Sequence, residues 1–234
     1  MRNHRWAVAL LATVGALSGC SSGRPLAGAS PSATASNSPT PSPAARLVTL
    51  AEAGAGAHYV AHYILRHPHG TAAGTVVIYR AAGSIRVDIG ESGHKVIAIF
   101  TPHGAYSCVV ASGHTTCFVA ARPGQKLPSY LDPALERVFT TFLTDLATSP
   151  GVYSVTADGS TPAAGSVPAG SCFQIGPAPG DAAAPPVTPG RYCLAASGVV
   201  TLVRFGSGVL DLASLTGPPT GRQLQPPASP TPLP

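Results

Sequence analysis

The chain is poor in charge: only 10% of its 234 residues are Asp, Glu, Lys or Arg, and lysine occurs only at Lys95 and Lys126. Its formal net charge is +5, yet the basic residues never gather into a stripe that could track phosphates. Nucleic acid is therefore not an expected partner. No apolar run reaches the ~20 residues that a membrane-crossing helix needs. There is no CxxC pair, so the spacing of a redox motif or a structural zinc site is missing. The acids Asp88, Glu91, Asp132, Glu136 and Asp145 show no spacing that argues for paired catalytic carboxylates and read as solvated. No internal repeat is present.

Two short stretches imitate motifs without their context. Gly54-Ala55-Gly56 has Tyr59 where a dinucleotide fingerprint places its third glycine, and it follows a helical pattern rather than a strand. Gly90-Glu91-Ser92-Gly93-His94 has His94 in the place of the last glycine of a nucleophile elbow, and no long helix follows. A turn between two strands accounts for it better. No catalytic residue and no cofactor is expected.

What is present begins with a leader. Arg2, His4 and Arg5 precede the apolar run Trp6–Leu17, which has the length of a signal-peptide core. Leu17-Ser18-Gly19-Cys20 resembles the bacterial lipobox, in which the cysteine is diacylated and becomes the first mature residue. Two acyl chains suffice for stable anchoring, at ~0.8 kcal/mol per buried methylene. Loss of Arg2 and Arg5 with the leader would take the formal charge from +5 to +3. The expected location is the extracytoplasmic face of the cell membrane. Arginine outnumbers lysine 12 to 2, and Ala, Gly and Pro are abundant, as in proteins of GC-rich bacterial genomes.

The remaining four cysteines form an even set in an oxidising compartment. If Ser112-Gly113 is a two-residue hairpin turn, Ala111 faces His114 and Cys108 faces Cys117, in a non-hydrogen-bonded pair with Cα atoms ~4.5 Å apart. That distance permits a disulfide. Cys172 then pairs with Cys193 across a Pro/Gly-rich loop.

Residues 20–43 hold the lipidated Cys20 and a Ser/Pro-rich spacer that cannot bury a core. A short helix is expected over Ala44–Ala53, ended by Gly54-Ala55-Gly56. Strands follow at His58–Arg66, Gly74–Arg80, Ser84–Ile89, Lys95–Phe100, Ala105–Val110 and Thr115–Ala120, with turn signals every 8 to 12 residues. Ile85, Val87 and Ile89 alternate with Arg86 and Asp88, which predicts one apolar face and one wet face. The best helical pattern runs from Asp132 to Ala147. Asp132 serves as N-cap, Pro133 stands in the first turn, and Leu135, Val138, Phe139, Phe142, Leu143 and Leu146 form an apolar stripe. A second β-block comprises Val152–Ala157, Ser171–Ile175, Arg191–Ala196, Val199–Phe205 and Val209–Leu215.

This order of elements carries a resemblance. So do the hairpin Tyr106-Ser107-Cys108 to Cys117-Phe118, Tyr192-Cys193-Leu194, Gly198-Val199 leading into Thr201–Arg204, and the closing Leu224–Ala228. Over Ala44–Ala228 the chain resembles actinobacterial lipoproteins of the LolA-like group. The resemblance implies an α+β fold: a curved antiparallel sheet, a half-open barrel, wrapped around one or two helices. It also implies non-catalytic binding or carriage of a lipid or other hydrophobic ligand. Chain organisation is then leader 1–19, spacer 20–43, domain 44–228 and disordered tail 229–234.

The expected ligand seam lies between sheet residues Ile85, Val87 and Ile89 and helix residues Leu135, Val138, Phe139, Phe142 and Leu146. A protein-interaction or sensor module is the alternative. The protein is expected to be a monomer. Seven histidines lie beyond the leader, and His58, His62, His67 and His69 fall close enough in sequence for a surface copper or zinc site to be conceivable. Scattered polar-face histidines are the commoner outcome, and no metal ligand is assigned.

Overall fold

The computed structural model describes residues 40–68, 71–125, 142–180, 187–206 and 208–232. The compact unit holding them starts at Thr40. Its strands are β1 (Tyr59–Arg66), β2 (Ala72–Ala81), β3 (Ser84–Glu91), β4 (His94–Thr101), β5 (Gly104–Ala111), β6 (His114–Ala121), β7 (Tyr153–Thr161), β8 (Gly170–Pro177), β9 (Gly190–Ala195), β10 (Val200–Phe205), β11 (Gly208–Thr216) and β12 (Thr231–Pro232). They form one sheet in the order β12-β6-β5-β4-β3-β2-β1-β11-β10-β9-β8-β7. Each neighbouring pair is antiparallel except β12 with β6, which is parallel. The two β-blocks of the sequence are halves of a single sheet, joined where β11 returns to lie beside β1.

The sheet is curved and unclosed. Register irregularities at His62/Tyr63, Leu65/Arg66, Ala105/Tyr106, Ala157/Ser160 and Val200/Leu202 bend individual strands and increase their twist, which supplies the curvature. Between these bends the register is set by tight turns. Ser92-Gly93 and Ser112-Gly113 both have positive φ at both positions (49° and 81°, 51° and 79°), as the type I′ hairpin turn requires. The second turn places Cys108 opposite Cys117, as the residue count predicts, and a disulfide joins them with Cα atoms 4.0 Å apart. Cys172 and Cys193 are directly opposed on β8 and β9 and form the second disulfide.

Among the described residues two α-helices pack on the inner face of the sheet. Helix α1 (Pro43–Gly56) starts where Ser42 Oγ accepts from the Ala45 N–H at 3.2 Å, with Pro43 in its first turn. It runs through Gly54-Ala55-Gly56 rather than stopping there, and Ala57 is its C-cap. Gly54 serves close packing, not termination. Helix α2 (Phe142–Thr148) is the described end of the stretch expected to be helical from Asp132. Asp132, Pro133, Leu135, Glu136, Val138 and Phe139 lie outside the described residues. Leu47 and Ala51 of α1 and Phe142, Leu143 and Leu146 of α2 meet Tyr63, Val76, Phe173, Tyr192 and Leu210 of the sheet in one continuous core.

The opposite, outer face corrects an expectation. Arg86 and Asp88 were to be on a wet face, yet Asp88 is only 3% exposed. Beyond β11 the chain passes over this face through a short 3-10 turn at Gly221–Leu224, and Ala228 packs on a second core of Ile97, Ile99, Cys108 and Cys117. The terminal stretch expected to be disordered from residue 229 includes β12, which pairs Thr231 with Phe118 and Pro232 with Val119. Arg86 binds both partners. Its Nε and Nη2 donate to the Asp88 carboxylate at 2.6 and 2.9 Å, and its Nη1 donates to the carbonyls of Gln223 and Gln225 at 3.1 and 3.4 Å. Burial of Asp88 is thus offset by charge-assisted hydrogen bonds.

Candidate ligand cleft

The seam expected between sheet and helix is closed along the part that can be described. Val87, Phe142 and Leu146 are fully packed core residues, and Ile89 is half-buried at the edge of that core. Ile85 is buried as well but contributes to a cavity wall. With Ala55, Arg80, Ala81, Gly83, Ser84, Phe100 and Thr144 it lines a cavity of about 310 Å³ at the C-terminal end of α1. Arg80 itself is buried and hydrogen-bonds the Tyr59 side chain. Leu135, Val138 and Phe139 of the expected seam lie outside the described residues.

A larger and more apolar space, about 460 Å³, opens beside the N-terminal half of α1. One wall is Pro41 with Ala45, Arg46, Thr49 and Leu50 of α1. The other is Ser160 of β7, Ala169, Gly170 and Ser171 at the start of β8, and Ala196 in the β9–β10 turn. Ser160 and Ser171 are register partners, so the two hydroxyl residues sit side by side at the sheet end. Arg46 Nη2 donates to Ser171 Oγ at 3.3 Å, and its guanidinium carbon lies 5.8 Å from the centre of the Phe173 ring. Phe173 is fully buried, so the arginine is braced on the core while its outer edge stays in water. Among the described residues no carboxylate lines the cleft. The arrangement offers apolar surface and one fixed cation.

Nothing in the sequence marks this site. Its parts come from residues 41–50, 160–171 and 196, and Arg46 looks like any solvated helix residue.

The core contains four tyrosines, Tyr59, Tyr63, Tyr153 and Tyr192. Burial pushes the Tyr63 phenol well above its ordinary pKa and raises Tyr59 as well, against the pull of Arg80. Burial, reinforced by Asp145, pushes Tyr153 up to about 12, and burial with the neighbouring Tyr153 raises Tyr192. Two of these phenols act as O–H donors: Tyr63 to the Val200 carbonyl at 2.9 Å and Tyr192 to the Thr188 carbonyl at 2.6 Å.

Other candidates fare differently. Ser92 occupies the exposed β3–β4 hairpin turn, not a strand-to-helix elbow. His58, His62 and His67 are exposed, His69 is outside the described residues, and among the described residues no group of three or more His, Cys, Asp or Glu could hold a metal ion. Among the described residues no helix is long and apolar enough to cross a membrane. No protein-family model matches the sequence, and no curated protein matches it significantly.

Proposed function

We propose that the chain is an exported lipoprotein, held at the extracytoplasmic face of the cell membrane by a diacylglyceryl group on Cys20, whose LolA-like domain binds a lipid or other hydrophobic ligand without catalysis. The observation that carries this reading is the open apolar cleft of about 460 Å³ between α1 and the ends of β7 and β8. Ligand sites occupy roughly 300–1,000 Å³ and combine apolar walls with a few placed polar groups. The curved, unclosed sheet supports the LolA-like plan, and a spacer of Ser, Pro, Ala and Thr between Cys20 and the domain gives it reach from the membrane surface.

The test is uptake of a fluorescent acyl probe by delipidated full-length protein, with Ala45→Trp as the cleft-filling variant. Uptake by the wild type and its loss in the folded variant supports the reading. A wild type that stays folded and takes up no probe removes it. Anchoring is tested separately by fractionating a Cys20→Ala strain, in which the protein should leave the membrane or remain unprocessed.

A further inference from the structure

Resting on the reading of the cleft as a hydrophobic-ligand site, we propose that its ligand is a single-chain carboxylate of the fatty-acid class and that Arg46 is the residue that selects it. Arg46 is the one charged side chain lining the cleft among the described residues. An apolar pocket with a lone fixed cation and no balancing carboxylate favours an anionic amphiphile over a neutral one, because a neutral head leaves the guanidinium nothing to pair with beyond water and Ser171.

The guanidinium is also preorganised. The Phe173 ring, 5.8 Å from the guanidinium carbon, and the Ser171 oxygen, 3.3 Å from Nη2, hold the exposed side chain over the cleft, which lowers the freedom lost on binding. Planar, bidentate donation matches one carboxylate. Ser171 accepts from Arg46 and keeps its own O–H free to donate to a second anionic oxygen. The tail of such a ligand would lie along Pro41, Ala45, Leu50, Ala169 and Ala196. A volume of about 460 Å³ suits one drug-sized molecule, which points to a single chain rather than a diacyl lipid.

The experiment is calorimetric titration of the full chain, carrying Cys20→Ser so that no detergent is needed, with decanoate, decanol and acetate. Decanoate should bind about tenfold or more tightly than decanol, a difference of ~1.4 kcal/mol, and acetate should bind far more weakly than decanoate. Arg46→Gln should erase the preference by bringing decanoate down to the affinity of decanol. Ala45→Trp should abolish both. Equal binding of decanoate and decanol, or a preference that survives Arg46→Gln or Ala45→Trp, overturns the carboxylate assignment and leaves the hydrophobic-ligand reading standing. Acetate matching decanoate overturns it too, by showing a simple anion site. Binding of neither decanoate nor decanol by folded protein overturns both readings together.

Discussion

Gly54 of α1 and Gly198 of the β9–β10 turn meet backbone against backbone. A Cβ at Gly54 would collide with the Gly198 carbonyl, and one at Gly198 would collide with the Gly54 nitrogen and the Leu50 carbonyl. Gly198 also has φ +76°, which L side chains avoid. This contact seats α1 on the sheet and so sets the distance across the cleft between Leu50 and Ala196.

Gly198→Ala combines left-handed strain with overpacking and should cost ~2–4 kcal/mol. Gly54→Ala should cost ~1–3 kcal/mol by overpacking alone. Gly56, two residues on, has open space where a Cβ would stand. Gly56→Ala should therefore be neutral or stabilise by up to ~1 kcal/mol through helix propensity. Chemical denaturation of the three variants checks the order, and Gly56→Ala as damaging as Gly54→Ala would contradict the close approach.

Arg86 links a buried carboxylate to the C-terminal segment. Arg86→Met leaves Asp88 buried with only Lys95, at 3.8 Å, and should cost ~3–5 kcal/mol. A chain ending at Thr216 uncovers the second core and should lose ~2 kcal/mol or more. Because truncation readmits water to Asp88, the two changes should be clearly less than additive in a double-mutant cycle. Strict additivity would mean that the segment does not cover Asp88.

The disulfides close loops of different length, with sequence separations of 9 and 21. In the chain-entropy model, replacing Cys172 and Cys193 by alanine should cost about 0.7 kcal/mol more than replacing Cys108 and Cys117. Comparison of the denaturation midpoints of the two double variants measures this. Non-reducing peptide mapping should recover the same two pairings.

Alkaline pH should unfold the domain in a defined window. The folded pKa of Tyr153 is raised from 10.0 to about 12, and Tyr59, Tyr63 and Tyr192 are raised as well. The folded state therefore holds these protons more tightly than the unfolded chain does. The stability they contribute is fully present below about pH 10 and is lost as pH rises from there through 12. Tyrosinate absorbance should track loss of near-ultraviolet circular dichroism. Ionisation of all tyrosines near pH 10 with the fold intact would contradict the burial.

Much of the fold was legible locally. The strands from Tyr59 to Ala121 follow from β-branched runs cut by turn residues, and the Ser112-Gly113 turn alone fixes Cys108 opposite Cys117, because hairpin pairing counts outward from the turn. Ser42 and Pro43, assigned to the spacer, are the N-cap and first residue of α1, one residue before the expected start. These are interactions between residues near in sequence, where propensity and register act directly.

What only the tertiary structure decided are contacts between distant residues. Arg86 and Asp88 alternate with Ile85 and Val87 as a wet face should, and nothing local reveals that Gln223 and Gln225 will return to Arg86. Gly54 reads as a helix stop until Gly198 occupies the space its side chain would need. Arg46 reads as solvated until the β8 strand brings Ser171 and Phe173 beneath it. Val87, Phe142 and Leu146 form an apolar stripe in either case, but whether that stripe holds a ligand or closes into core depends on how near α2 sits to the sheet. Hydrophobic pattern specifies which face is buried, while the partner that buries it is set by chain closure across a hundred residues or more, a long-range term with no local signature.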